Sequence, residues 1–220
     1  MWDLIAMAAG IGFGLMGISA YIKTNLEARK REKELQNLIG KGQMIDPRIL
    51  IQKEKDLIDS AKEEIWILGI NALGVFHESF ENLIHFTARK GKVRVLLLEM
   101  ESEAFKQREK KEEGIGGEKS GRLRKEYATS IAFCKDIIRL SKKKDSLELR
   151  VYKQEPMEAL LIADPKKDTG MLHVNEYPST EHVRGYVGEH RFVPKNWPDI
   201  FQRWIKKYEA IWENSEKISL

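Results

Sequence analysis

The chain has one cysteine, Cys134, in 220 residues. No internal disulfide framework holds it together, and a reducing compartment suits it. Cys134 stands at helical spacing among apolar residues, which reads as a packed, inert thiol and not a nucleophile. Charge of one sign is also lacking: 38 Lys and Arg stand against 34 Asp and Glu, and the net charge of +4 is spread over a dense, nearly balanced set. That is weak ground for a nucleic-acid surface, which needs clustered positive charge. No His-x-Lys pair occurs anywhere in the chain. His77, His85, His173 and His190 show no metal-ligand spacing with acids or the cysteine, so no metal and no cofactor is expected and structural roles are expected for these rings. Long uncharged runs are missing too, with one exception.

The exception is residues 4–22, LIAMAAGIGFGLMGISAYI, which carry no charge over 19 positions. A helix needs ~20 such residues to cross the hydrocarbon core. Met1, Trp2 and Asp3 precede it, where a cleavable signal peptide would have basic residues, so residues 1–22 are expected to be an uncleaved transmembrane anchor. Lys23, Arg29, Lys30, Arg31 and Lys33 follow. Positive charge beside a span stays in the cytoplasm, which predicts a single-pass membrane protein with a cytoplasmic C-terminal domain and the lipid bilayer as its partner. The same basic run would suit anionic headgroups, although topology alone accounts for it. Gly10 and Gly14 form a small-xxx-small pair. A homodimer packed through that pair and plain lipid-compatible filler explain it equally well.

Residues 23–45 are charged and end with Gly40 and Gly42, a helical stalk and linker. The remaining length, residues 46–220, suits one α/β domain and not two. Asp46 and Pro47 supply a helix cap and a first-turn proline, and Leu50, Ile51, Glu54, Leu57, Ile58 and Ala61 follow at helical spacing. The run IWILGI at 65–70 suits a strand covered on both faces. A helix follows with Leu73, Phe76, Phe80, Leu83 and Ile84 on one stripe, closed by Gly91, and then the strand VRVLLL at 93–98. Residues 100–121 are polar and glycine-rich and predict a loop; their GIGG is no phosphate cradle, because no strand leads into it and no GK[ST] follows. Leu123, Tyr127, Ile131, Cys134 and Ile138 predict another helix, followed by strands at 147–151 and 159–163. MLHV at 171–174 is expected to pair with the latter across PKKDTG. A last helix from Pro198 turns Phe201, Trp204, Tyr208, Ile211 and Trp212 inward.

This order of elements, the GKVRVLLLE strand entry and the closing FxxWxxxYxxIW helix resemble one lobe of the phospholipase D-like superfamily over residues 47–215. The resemblance implies an α/β fold with a mixed, largely parallel sheet flanked by helices. It also implies a motif of His, any residue, Lys, four residues and Asp, ending at Asp164. In that chemistry a histidine attacks phosphorus and a lysine neutralises phosphate oxygens. Here Met157 stands at the histidine position and Ala159 at the lysine position, so the site is expected to be dead and Asp164 to cap backbone N–H groups at a turn. His182, Arg184 and Glu189 repeat the spacing further on and are the alternative catalytic candidates, since Arg also binds phosphate. Gly185 and Gly188 around them fit a bend better than a rigid strand. His173 and Asn175 are candidates for lining a ligand pocket. The expected function is binding, sensing or assembly by an inactive, membrane-anchored domain, with an anionic phosphate-containing ligand. The alternatives are an active phosphodiesterase and a structural anchor that recruits a protein partner.

Overall fold

A computed structural model describes residues 46–115, 121–143, 145–177 and 189–220. The expected anchor and stalk lie outside the described residues, as do His182 and Arg184. Among the described residues no helix is long and apolar enough to cross a membrane.

Helix α1, Pro47–Ser60, starts where Asp46 accepts a hydrogen bond from the Arg48 N–H at 2.9 Å and proline fills the first turn. It buries Leu50, Glu54, Leu57 and Ile58 on one stripe. Strand β1, Glu64–Gly69, is buried at every position after the first, as a central strand covered on both faces must be. Helix α2, Leu73–Ala88, leads to β2, Lys92–Leu98, which pairs with β1 in parallel. Gly91 makes the turn between them, and a Cβ there would meet the Phe86 ring at 2.4 Å.

Helix α3, Glu103–Ile115, occupies most of the stretch expected to be a loop. The Ser102 hydroxyl accepts from the Phe105 N–H at 3.2 Å, and Phe105 is fully buried. Arg108 and Glu112, one turn apart, bond to each other at 2.6 Å while both are buried. Nothing apolar repeats along this helix, so its stability comes from tertiary burial and charge pairing.

Helix α4, Arg122–Ser141, precedes β3, Leu147–Tyr152, which is parallel to β2. Strands β4, Glu158–Ala163, and β5, Met171–Glu176, form the expected antiparallel hairpin. Strand β6, Glu189–Pro194, helix α5, Pro198–Glu213, and the short β7, Glu216–Ile218, complete the chain. Two helical faces are rotated slightly from expectation. In α4, Ser130 and Ile137 are buried while Ile131 and Ile138 are half-buried; in α5, Ile205 is buried while Trp204 and Ile211 are half-buried. Trp204 stays at the rim with the Lys207 ammonium 5.3 Å above its ring.

The sheet runs β6-β5-β4-β1-β2-β3-β7. It is mixed and flanked by helices, but among the described residues parallel pairing is confined to β1, β2 and β3. The expectation of a largely parallel sheet is corrected. Hairpin-linked strands have to run antiparallel, and β6 and β7 add antiparallel edges that the sequence pattern did not reveal. One face packs on α5, where Tyr208 stacks on Trp66 at 4.8 Å and Arg94 lies 5.0 Å from the Trp66 ring and 5.2 Å from Trp212. The opposite face carries the site.

Candidate functional site

Strand register brings the chemistry together. Ala159 lies opposite Asn175 and Leu161 opposite His173, while His173 lies opposite Phe192 and Asn175 opposite His190. Directly opposed residues project to one face of the sheet, so these six share the face on which α1 sits. From α1 the buried Glu54 carboxylate meets His173 Nδ1 at 2.9 Å. A carboxylate only accepts, so that nitrogen carries the shared proton. His173 Nε2 then lies 3.0 Å from His190 Nδ1, and the His173 ring stacks on Phe192 at 4.5 Å. His173 is 4% exposed.

This chain of groups borders a cavity of about 430 Å³. The cavity opens at the carboxyl end of β1, between Leu68 and Val75, with β2 on one side of that strand and β4 on the other. Helices α3 and α4 close it with a charge ladder. Asn71 Nδ2 donates to Glu126 at 2.9 Å, Glu126 pairs with Arg122, Arg122 with Glu112 at 3.1 Å, and Glu112 with Arg108 at 2.6 Å. The Arg108 guanidinium carbon stands 5.1 Å from the Tyr177 ring centre. Burial pushes the Tyr177 hydroxyl up to about 12 although Arg108 opposes it, so this group is a neutral hydroxyl at physiological pH. On the cavity wall, Arg108 Nη2 and Asn175 Oδ1 are buried with no hydrogen-bond partner.

The residues singled out in the sequence divide between the two ends of the sheet. His173, Asn175 and Ala159 line the cavity. Met157 is 56% exposed and borders a separate cleft with Lys207 and Asn214. Asp164 lies at the far end of β4, five residue steps or roughly 17 Å from Ala159. Its carboxylate accepts from the backbone N–H groups of Lys62 at 2.8 Å, Glu63 at 2.8 Å and Glu64 at 3.0 Å. It therefore fastens the entry of β1 across the sheet and does not cap its own turn. Glu189 opens β6 opposite Glu176, while His182 and Arg184 lie outside the described residues. Cys134 is fully buried, and burial pushes its thiol up to about 12. Among the described residues no cluster of three or more His, Cys, Asp or Glu side chains is arranged to hold a metal.

Sequence reasoning passed over Glu54, Arg108, Glu112, Tyr177 and His190. Glu54 had a legible signal, an acid on an otherwise apolar stripe of α1. His190 had a fainter one, its two-residue offset from Phe192 in a strand. Arg108 and Glu112 had none, since their helix read as a loop.

No curated protein matches this sequence. Among the solved structures that are similar to it are two that cover most of this chain. One is TrmBL2, an archaeal chromatin protein described as showing a novel mode of DNA binding, at 17% identity and a TM-score of 0.46, with 93% of this chain and 68% of that chain covered. The other is Nuc from Salmonella typhimurium, a phospholipase D family member, at 17% identity and a TM-score of 0.45, with 79% of this chain and 91% of that chain covered. At this distance neither likeness carries an activity to this chain. A family match spans residues 44–219, nearly the whole of the compact unit at 44–220, and the chain thus belongs to the family described as a domain of unknown function, DUF5919.

Proposed function

We propose that this chain is a membrane-anchored phospholipase D-like lobe that binds a small ligand in its β1-end cavity and has no phosphodiester-cleaving activity. The observation that carries the reading is the pair of buried, unpartnered polar atoms on the cavity wall, Arg108 Nη2 and Asn175 Oδ1. Each such atom costs about 1–3 kcal/mol of stability while it lacks a partner. A fold gains nothing from keeping two of them, whereas a ligand that supplies the missing partners explains both. The element order and the sheet support the phospholipase D-like part of the reading. Met157 and Ala159 at the nucleophile and lysine positions support the absence of cleavage, because neither side chain can attack phosphorus or balance phosphate charge.

Two measurements on the full-length protein in detergent micelles test this. Bis(p-nitrophenyl) phosphate should not be turned over. Asn175→Leu should leave the melting temperature unchanged or raise it, since an unpaired buried oxygen is removed; a clear fall would make Asn175 a structural residue.

One observation favours a second reading, an active phosphodiesterase. The Glu54 carboxylate backs His173, which in turn meets His190, and a carboxylate-oriented histidine is a competent acid–base group. On that reading His182, Arg184 and Glu189 supply the rest of the site. Turnover that is abolished by both His173→Gln and His182→Ala in a folded protein would establish it and displace the binding-only reading.

A further inference from the structure

We infer that the cavity takes an uncharged planar heterocycle presenting an amide-type edge, a carbonyl beside an N–H, of the kind found on uracil or hypoxanthine. This rests on the reading of the cavity as a ligand site. It differs from the phosphate-containing ligand that the phospholipase D-like resemblance leads one to expect, and the charges lining the cavity are the reason. Glu54, Glu112 and Glu126 line it against Arg108 and Arg122. Both guanidiniums already bond to carboxylates, Arg108 to Glu112 and Arg122 to Glu112 and Glu126. A phosphate site needs guanidinium forks turned to the anion. Here an entering dianion would shed its hydration beside Glu54, Glu112 and Glu126, with both guanidiniums already paired to carboxylates, which weighs against it.

The two unpartnered atoms define the polar part of the ligand. Arg108 is 9% exposed, and its Nη2 is a donor in need of an acceptor. Asn175 Oδ1 is an acceptor in need of a donor. An amide-type edge offers one of each on a rigid frame. The guanidinium is held in place, because Glu112 bonds its Nε and its central carbon sits over the Tyr177 ring.

The remaining wall selects for a flat, otherwise apolar body. Leu73, Val75, Leu123, Ala159 and Leu161 make up much of it. A polyol placed there would bury hydroxyls without partners, whereas a ring buries its faces against these side chains at no such cost. A volume of about 430 Å³ lies in the range of small-molecule pockets and accommodates a nucleobase.

The test is isothermal titration of the full-length protein in detergent micelles with uracil, hypoxanthine, 1,3-dimethyluracil and inorganic phosphate, alongside melting curves of Asn175→Leu. The expected result is that uracil or hypoxanthine binds, that 1,3-dimethyluracil, which has no N–H, binds at least tenfold more weakly than uracil, and that phosphate does not bind. Arg108→Lys, which keeps a cation for Glu112 but removes Nη2, and Asn175→Leu should each weaken binding tenfold or more. Binding of phosphate, or equal binding of 1,3-dimethyluracil and uracil, would overturn the inference and leave a ligand site of another chemistry. Silence from all four probes overturns the inference too. In that case Asn175→Leu decides the broader reading, which stands if the variant melts no lower than the parent and fails if it melts lower.

Discussion

Replacing Asp164 by Asn changes one atom and tests what the carboxylate at the end of β4 is for. The side chain is 3% exposed and accepts three backbone N–H groups, one on Oδ2 and two on Oδ1. In the amide, one oxygen becomes an NH2 group that faces a backbone donor, so one bond is lost and two donors oppose each other. The surviving bonds fall from charge-assisted to neutral strength. With roughly 1.5–3 kcal/mol for a bond to a charged group and ~1 kcal/mol for a neutral one, the substitution should cost about 3 kcal/mol. The backbone contributes little to that figure, since Asn tolerates the left-handed φ of 47° at this position as well as Asp does. For a domain of this size the cost corresponds to a fall of roughly 6–12 °C in melting temperature. Thermal unfolding followed by circular dichroism would read it, with titration of uracil as a second readout expected not to change. A fall of under about 2 °C would refute the reasoning, because it would mean that the charge on Asp164 does not hold the β1 entry. A stable variant that lost binding would instead give Asp164 a part in the site.

Three further outcomes are expected. Gly170→Ala should destabilise by about 2 kcal/mol, because its Cβ would sit 2.7 Å from the Asp164 carbonyl oxygen and 3.1 Å from the Phe201 ring; equilibrium urea unfolding measures this, and an unchanged midpoint refutes it. Cys134 holds its proton up to about 12 in the fold and releases it near its ordinary value of about 9 when unfolded. The native state therefore binds the extra proton between those values, and the stability it contributes, complete below pH 9, is lost as pH rises toward 12 at up to ~1.4 kcal/mol per pH unit. Cys134→Ala should flatten that alkaline slope, and an identical slope in the variant would count against it. Full-length protein should remain with membranes after carbonate washing and deletion of residues 1–22 should release it; a soluble full-length chain would remove the anchor from the proposed function.

The sequence alone determined the elements whose side-chain pattern is local. Asp46, Pro47 and the Leu50, Leu57, Ile58 stripe define α1, and the uninterrupted apolar runs at β1 and β2 could only be covered strands. That Met157 and Ala159 stand at the histidine and lysine positions of the resembled motif was likewise legible, since it depends only on residue type and spacing. Tertiary structure decided the rest. Helix α3 is held by the burial of Phe105 and by the Arg108–Glu112 pair, contacts that a charged, glycine-flanked stretch does not reveal. The direction of β4 beside β1 is set by how the hairpin docks on the sheet, which no periodicity encodes. The site follows the same rule. His173 and Asn175 stood out in the sequence, but the carboxylate that meets His173 comes from α1 and the open guanidinium nitrogen that lines the same cavity as Asn175 comes from α3. Hydrophobic patterning specifies which face of each element is buried; which polar groups then meet across the sheet is fixed only when those faces pack.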